Sequence, residues 1–528
     1  MTIMKSIKQY FLMAILLIAT GSCEKYELPK TAAVEAGTAD FTKTVAVGSS
    51  IIGGFMNGTL YTEGQNNSSV AIMAKQMKLV KGGDFIQPDI NAAVGDYGIT
   101  FGLPSGTVGR LFLKLPATPA NPACTTASPA PAAAAPGNPV TVYAGDKTKL
   151  NSFTTYRVTL QTSMLPALGG PAIAGNPAYS PWYARYASAP SANGVTGSTL
   201  VGDAATALTN GGTFFVFWLG IDDVLGWALN GGDDALLTPL TTPVDFTTRY
   251  NTALGSMLTA KASAKGILGN VPNLTSLPHF TAVKWNPVVF LSCDPVAVGT
   301  VASLNAGYGG YNAALDAIVA GAIPGVILTA ADAAKRKVVF KTGANATLGA
   351  NAAVMVDETL PNLGAALGAI NAGLAGFGQV RQTTPTDLLL LTAGSVLPTG
   401  VGVNPAAGFL TDRYVLIPSE QASISANITA FNATIKAAVD ANADRLALVD
   451  ANTALKNVEA GTVFINGSAI TSSVAPPSGA FSLDGVHPNS RGQAYIANLM
   501  IGAINSKFKA TIPIVNPNNY SPNAFPIP

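Results

Sequence analysis

The stretch Thr213-Phe214-Phe215-Val216-Phe217-Trp218-Leu219-Gly220 is apolar without interruption from Phe214 to Leu219 and ends on a glycine. A strand buried on one face alternates apolar and polar residues, whereas a strand apolar on both faces belongs in the middle of a parallel sheet covered by helices. The class that follows is α/β. The chain on either side agrees. Upstream, Thr42-Lys43-Thr44-Val45-Ala46-Val47 alternates and breaks at Gly48-Ser49-Ser50, and beyond Leu60 the pattern Val70, Ile72, Met73, Met77 predicts a helix, giving strand, tight turn, helix. Downstream, a helix from Ser423 to Ala438 precedes the apolar Leu446-Ala447-Leu448-Val449, again helix then buried strand. A last helix runs roughly from Arg491 to Lys507 with Ala494, Ala497, Met500, Ile501 and Ile504 on its apolar face.

The whole chain has 528 residues, 48% hydrophobic and 11% charged, which is ample for a large core and excludes a disordered, solvating protein. Thirty basic residues against 28 acidic give a net charge of +2, and no basic stripe interleaves with aromatics, so nucleic acid is not an expected partner. Two histidines and three cysteines leave almost nothing for a zinc or iron site, and no metal or cofactor is expected.

Residues 1–23 read as an export signal. Lys5 and Lys8 precede the apolar run Tyr10 to Ala19, too short for a comfortable membrane span, and the small residues Thr20-Gly21-Ser22 lead into Cys23. That ending resembles a bacterial lipoprotein cleavage site, with Cys23 carrying the lipid. Residues 24–40 then form a polar tether, and 41–528 a single α/β domain. Two insertions interrupt it. Residues 116–139 are almost all Ala, Pro, Thr and Asn and read as an exposed loop, and residues from about 261 to 406 are Ala/Gly-rich and read as an insertion that shapes a surface. Cys124 and Cys293 have no assigned role.

Any histidine chemistry must use His279 or His487. His487 lies in Phe481-Ser482-Leu483-Asp484-Gly485-Val486-His487-Pro488, a Gly/Pro-punctuated loop ahead of the last helix. An aspartate three residues before a histidine on such a turn sets its carboxylate against the imidazole Nδ1, fixing the tautomer and supporting the imidazolium. Ser50 is the candidate nucleophile, because the strand-to-helix turn exposes its hydroxyl above the end of a strand, beside helical backbone N–H groups. His279 has no carboxylate near it in sequence and reads as a structural or surface histidine.

In their order and spacing these pieces resemble the SGNH/GDSL hydrolases, specifically the long lipoprotein members of Bacteroidetes-type bacteria. The first block is Thr44-Val45-Ala46-Val47-Gly48-Ser49-Ser50-Ile51-Ile52-Gly53-Gly54, continued by Gly58-Thr59-Leu60-Tyr61 and Gly64-Gln65. The third block is Trp218-Leu219-Gly220-Ile221-Asp222-Asp223-Val224-Leu225-Gly226. The fifth is Leu483-Asp484-Gly485-Val486-His487-Pro488-Asn489, with Gly492, Ala497-Asn498 and Ile504-Asn505 following. The resemblance implies a three-layer αβα flavodoxin-like fold with a mainly parallel sheet, serine ester hydrolase chemistry, a Ser50, Asp484, His487 triad, and an oxyanion hole at Ser50 and Asp222.

Three positions depart from the family pattern. Ser49 replaces the aspartate before the nucleophile. The second-block glycine is missing near Asn151-Ser152-Phe153-Thr154-Thr155, with Gly106 a poorer positional match. Asp222 replaces the third-block asparagine that would donate to the oxyanion. The expected function is therefore a slow cell-envelope ester hydrolase acting on a small-molecule, lipid or glycan ester, held by its lipid at the outer membrane. The alternative is a catalytically degenerate surface binding or accessory lipoprotein on the same scaffold.

Overall fold

A computed structural model of the chain describes residues 33–95, 109–114, 124, 130–133, 137–233 and 239–523. The export run, Cys23, Gly106 and most of the 116–139 insertion lie outside the described residues.

Five strands form one parallel sheet: β1 Thr44–Ser49, β2 Ser152–Thr155, β3 Phe214–Trp218, β4 Lys265–Gly269 and β5 Leu446–Val449. Their order across the sheet is β5-β4-β3-β1-β2. The apolar stretch from Phe214 is its centre, with every residue of β3 buried, as is every residue of β1 beside it. Each fully buried Phe or Val contributes roughly 1.5–3 kcal/mol relative to exposure, so these two strands anchor the core. Five longer helices cover the sheet: α1 Ser69–Met77, α2 Leu200–Thr209, α3 Pro243–Ala260, α4 Pro418–Ala441 and α5 Ser490–Phe508. Right-handed crossovers dictate where they go. The connection through α1 runs from β1 outward to β2. Those through α2, α3 and α4 run the opposite way along the sheet, which puts them on the other face. The packing agrees: α1 lies against α5, while α3 lies against both α2 and α4, with Phe246 of α3 stacked on Phe431 of α4 at 3.8 Å between ring centroids. The architecture is α/β with a five-stranded parallel sheet covered by helices, consistent with a three-layer arrangement.

The strand order reverses at β1. From β1 the chain moves out to β2, then returns past β1 to β3. The carboxyl ends of β1 and β3 therefore flank a crevice of the kind where open α/β sheets place their sites. Register sets Gly48 beside Trp218, so Ser50 and the Gly220–Asp222 corner emerge together.

Two boundaries read from the sequence move. Residues 33–40 are docked rather than a free tether: Thr38 N–H donates to the Phe508 carbonyl at 2.7 Å, Thr511 N–H donates to Glu35 at 2.9 Å, and Ala39 is buried. The stretch from about 261 to 406 begins inside the sheet, because Lys265–Gly269 is β4 and Leu274, Leu277 and Phe280 join the main core. What is inserted follows Thr281. It has an apolar core of its own around the 25-residue helix Pro295–Val319 and the antiparallel strand pair of Val354–Val356 with Val380–Gln382. A further cluster reaches Val415 and Ile417 at the start of α4. Cys124, from the Ala/Pro-rich stretch, is disulfide-bonded to Cys293 at the foot of that long helix. No helix among the described residues is long and apolar enough to cross a membrane.

Candidate active site

β1 ends at Ser49, and the chain makes one helical turn, Ser50–Gly53, before Gly54 turns it away with φ 85°. A side chain is excluded at Gly54 twice over, by that left-handed backbone and by the Gly64 carbonyl, 2.4 Å from where a Cβ would stand. The turn lifts Ser50 above the sheet edge. On the other side of the crevice the loop 481–489 is closed by Ser482 N–H donating to the His487 carbonyl at 2.7 Å, with Gly485 at φ 74°. Asn489 ends the loop by capping α5, its side chain accepting from Gly492 N–H at 3.0 Å.

These two turns bring together the three residues expected from the sequence. Ser50 Oγ lies 2.9 Å from His487 Nε2, and His487 Nδ1 lies 3.0 Å from Asp484 Oδ2. An ionised carboxylate only accepts, so Nδ1 carries the imidazole proton and Nε2 is left to receive one from serine. Asp484 is fully buried and accepts four hydrogen bonds. Val486 and His487 N–H donate to Oδ1 at 2.9 and 2.8 Å, while Gly58 N–H at 2.9 Å and the imidazole share Oδ2. Burial opposes ionisation here, but the imidazole and the backbone donors outweigh it and hold Asp484 well below the ordinary carboxylate range. Phe55 and Tyr156 lie 6.0 and 5.6 Å from the His487 ring, and Trp182 packs on Tyr156. This collar excludes water and strengthens the charges inside it. Ser50 and His487 are 1% and 3% exposed.

Asp222 stands in the first turn of a helix after Gly220, which has φ 108°. Its Oδ2 accepts from Val158 N–H at 3.2 Å. Burial and the neighbouring Asp223 push its carboxyl up to about 7, against the pull of Val158, His487 and Arg157. Asp223, buried and raised to about 6 chiefly by desolvation, accepts from Leu160 N–H at 2.8 Å and from the Thr241 hydroxyl at 3.1 Å. It ties the β2 and β3 exits together. Just beyond the end of β2 a left-handed position is held by Arg157 with φ 54°. That conformation is costly for a branched or long side chain and is usually retained where a site requires it. Ser49 Oγ is buried without a hydrogen-bond partner among the described residues.

Sequence reasoning missed three supports. Gln493 on α5 is buried and bridges two elements, donating to the Ile51 carbonyl at 2.7 Å and accepting from Ser69 N–H at 2.8 Å, so α5 holds both the nucleophile turn and the start of α1. Asn57 and Gly58 reach the catalytic loop from the opposite side. His279 is fully buried behind that loop, its backbone N–H donating to the Gly485 carbonyl at 2.9 Å. Desolvation pulls its imidazole down to about 4 against the opposing influence of Asp484. Its burial rules out the surface half of the sequence reading, and it backs the loop 481–489. The Asn57-Gly58 pair, which favours a tight turn, was the available local signal.

Compared with protein-family models, with curated proteins and with solved structures, the chain has no match.

Proposed function

We propose that this chain is a serine ester hydrolase of the SGNH/GDSL type on a flavodoxin-like scaffold, exported and held at the cell envelope by lipid on Cys23. The observation that carries the reading is the unbroken chain Ser50 Oγ, His487, Asp484 at 2.9 and 3.0 Å, standing where the strand order reverses. Ser50 Oγ attacks the ester carbonyl while His487 Nε2 takes its proton, and Asp484 supports the imidazolium. The alcohol leaves with that proton, giving an acyl-Ser50. Water, deprotonated by His487, then releases the acid and restores the serine. The substrates that suit this chemistry are simple or lipid carboxylic esters and acetylated glycans. Asp222 makes the enzyme slow, since an ionised carboxylate beside a developing oxyanion opposes it.

The second reading is a binding lipoprotein on a hydrolase scaffold, favoured by Asp222 and by the near-complete burial of Ser50. A fluorophosphonate probe, which reacts with activated serines, separates the two. Labelling that disappears in Ser50→Ala supports the hydrolase. A folded protein that takes no label, and cleaves none of a panel of acyl and acetyl-glycan esters, is the binding module.

A further inference from the structure

After Gly54 the chain makes a second, tighter turn. Met56 N–H donates to the Thr59 carbonyl at 3.1 Å and Thr59 N–H returns a bond to Met56 at 3.3 Å, enclosing Asn57 and Gly58. Both enclosed residues are left-handed, with φ 55° and 82°. Asn-Gly is the pair that accepts this geometry at least cost. The tip of the turn is spent on the catalytic loop. Gly58 N–H donates to Asp484 Oδ2 at 2.9 Å, and Asn57 Oδ1 accepts from Leu483 N–H, one residue earlier, at 3.1 Å. The Asn57 amide nitrogen donates to the Tyr61 hydroxyl at 3.2 Å, and its backbone carbonyl accepts from Leu111 N–H at 2.9 Å.

Of the four bonds that Asp484 accepts, three come from Val486 and His487 of its own loop and one from Gly58. The loop supplies three of these four bonds, but Gly58 shares Oδ2 with the imidazole and so helps to set the Asp484–His487 bond. The loop by itself does not fix the pair relative to the nucleophile, 437 residues away in sequence. The turn contributes to that beside the Gln493 bridge from α5, because only seven residues lie between Ser50 and Gly58, and Phe55 among them packs on the His487 ring.

We propose that the Asn57-Gly58 turn is the positioning element of the triad, with Asn57 the residue that registers the Asp484 loop against the Ser50 turn. This rests on the hydrolase reading for its kinetic consequence but not for its structural one. Removing the Asn57 side chain frees Leu483 N–H and lets the loop shift against Gly58. The Asp484–His487 bond then loosens, and His487 Nε2 moves off Ser50 Oγ.

Asn57→Gly is the clean variant, since glycine takes the left-handed backbone without strain and only the side-chain bridge is lost. It is expected to lower kcat on a short acyl ester by about 10-fold or more with KM nearly unchanged, because displacements of about an ångström at a catalytic group cost up to about 100-fold. The far-downfield proton resonance of His487 Nδ1–H, identified by its loss in His487→Ala, is expected to broaden or vanish. A merely structural residue moves neither. Tyr61→Phe, which removes only the hydroxyl holding the Asn57 amide, is expected to give a smaller fall in the same direction and serves if Asn57→Gly does not fold. Unchanged kcat and an unchanged resonance in a folded variant overturn the proposal. Should the wild type neither hydrolyse esters nor take the fluorophosphonate label, the hydrolase reading fails while the resonance still decides the positioning role: lost in Asn57→Gly it supports the proposal, kept it overturns it.

Discussion

Burial and Asp223 raise the Asp222 carboxyl to about 7, which on the proposed hydrolase reading sets an alkaline limit. Below that value Asp222 carries a proton and can donate to the oxyanion. Above it the group only accepts, and its charge opposes the charge that develops on the substrate oxygen. The proposed ester hydrolysis is therefore expected to lose kcat as pH rises through about 7. Asparagine offers an N–H donor at every pH, and its side-chain oxygen can still accept from Val158 N–H as Asp222 does now. Asp222→Asn is expected to abolish the alkaline limb and raise kcat at pH 8 by about 10-fold or more, a conservative share of the roughly 2.7–4 kcal/mol that one such donor is worth. Profiles of kcat against pH for both proteins on a short acyl ester check this. An unchanged or lower kcat in the folded variant places Asp222 outside the oxyanion hole. The juxtaposition of Ser50, His487 and Asp484 was legible only in combination: a serine at a strand-to-helix turn and an aspartate three residues before a histidine are common local patterns, and it was their order and spacing, through the resemblance, that grouped them. Asn57 and Gln493 were not, since their partners lie 426 and 442 residues away and nothing local announces them.

At the scale of elements, legibility followed side-chain bulk. β3 declares itself because Phe214, Phe215, Phe217 and Trp218 fill both faces of the sheet centre. Its neighbour β4 was hidden for the complementary reason. A Cβ at Gly266 would stand 2.8 Å from the Phe215 ring, and one at Gly269 would stand 2.0 Å from the Trp218 ring. The aromatic residues of one strand occupy the space above the glycines of the next, so β4 reads as a weak Gly-containing stretch and was assigned to the insertion. β2 is short and polar at the sheet edge, with Ser152, Thr154 and Thr155. The inserted unit has a different centre, an ion cluster. Arg381 Nε lies 2.5 Å from Asp357, and its two terminal nitrogens lie 2.7 and 2.9 Å from Asp387, all three side chains being buried. Removing one partner from such a cluster leaves uncompensated buried charge and typically costs about 3–5 kcal/mol. Arg381→Ala is expected to speed amide exchange across the strand pair of Val354–Val356 and Val380–Gln382 while β1 and β3 stay protected and Ser50 still takes the fluorophosphonate label. Equal loss of protection in the sheet makes insertion and sheet one cooperative unit.

For the whole molecule, the cysteines divide into two roles that must share one compartment. Cys124 and Cys293, 169 residues apart, are joined in a disulfide, a bond that persists in oxidising surroundings and is rare where thiols are kept reduced. The amino-terminal run and the small residues before Cys23 motivate the proposed export and lipidation. Glu35 and Thr38 are fastened to the body by backbone hydrogen bonds with Thr511 and Phe508. Cys23→Ala removes the acylation site and leaves the apolar export run intact. The variant is expected to leave the membrane fraction and appear in the soluble envelope fraction, with Cys124 and Cys293 still resistant to a maleimide reagent until they are reduced. A variant that still sediments with membranes after a salt wash overturns the anchor. A released variant whose two remaining thiols react without reduction separates export from oxidation and removes the support that the disulfide lends to an extracytoplasmic site.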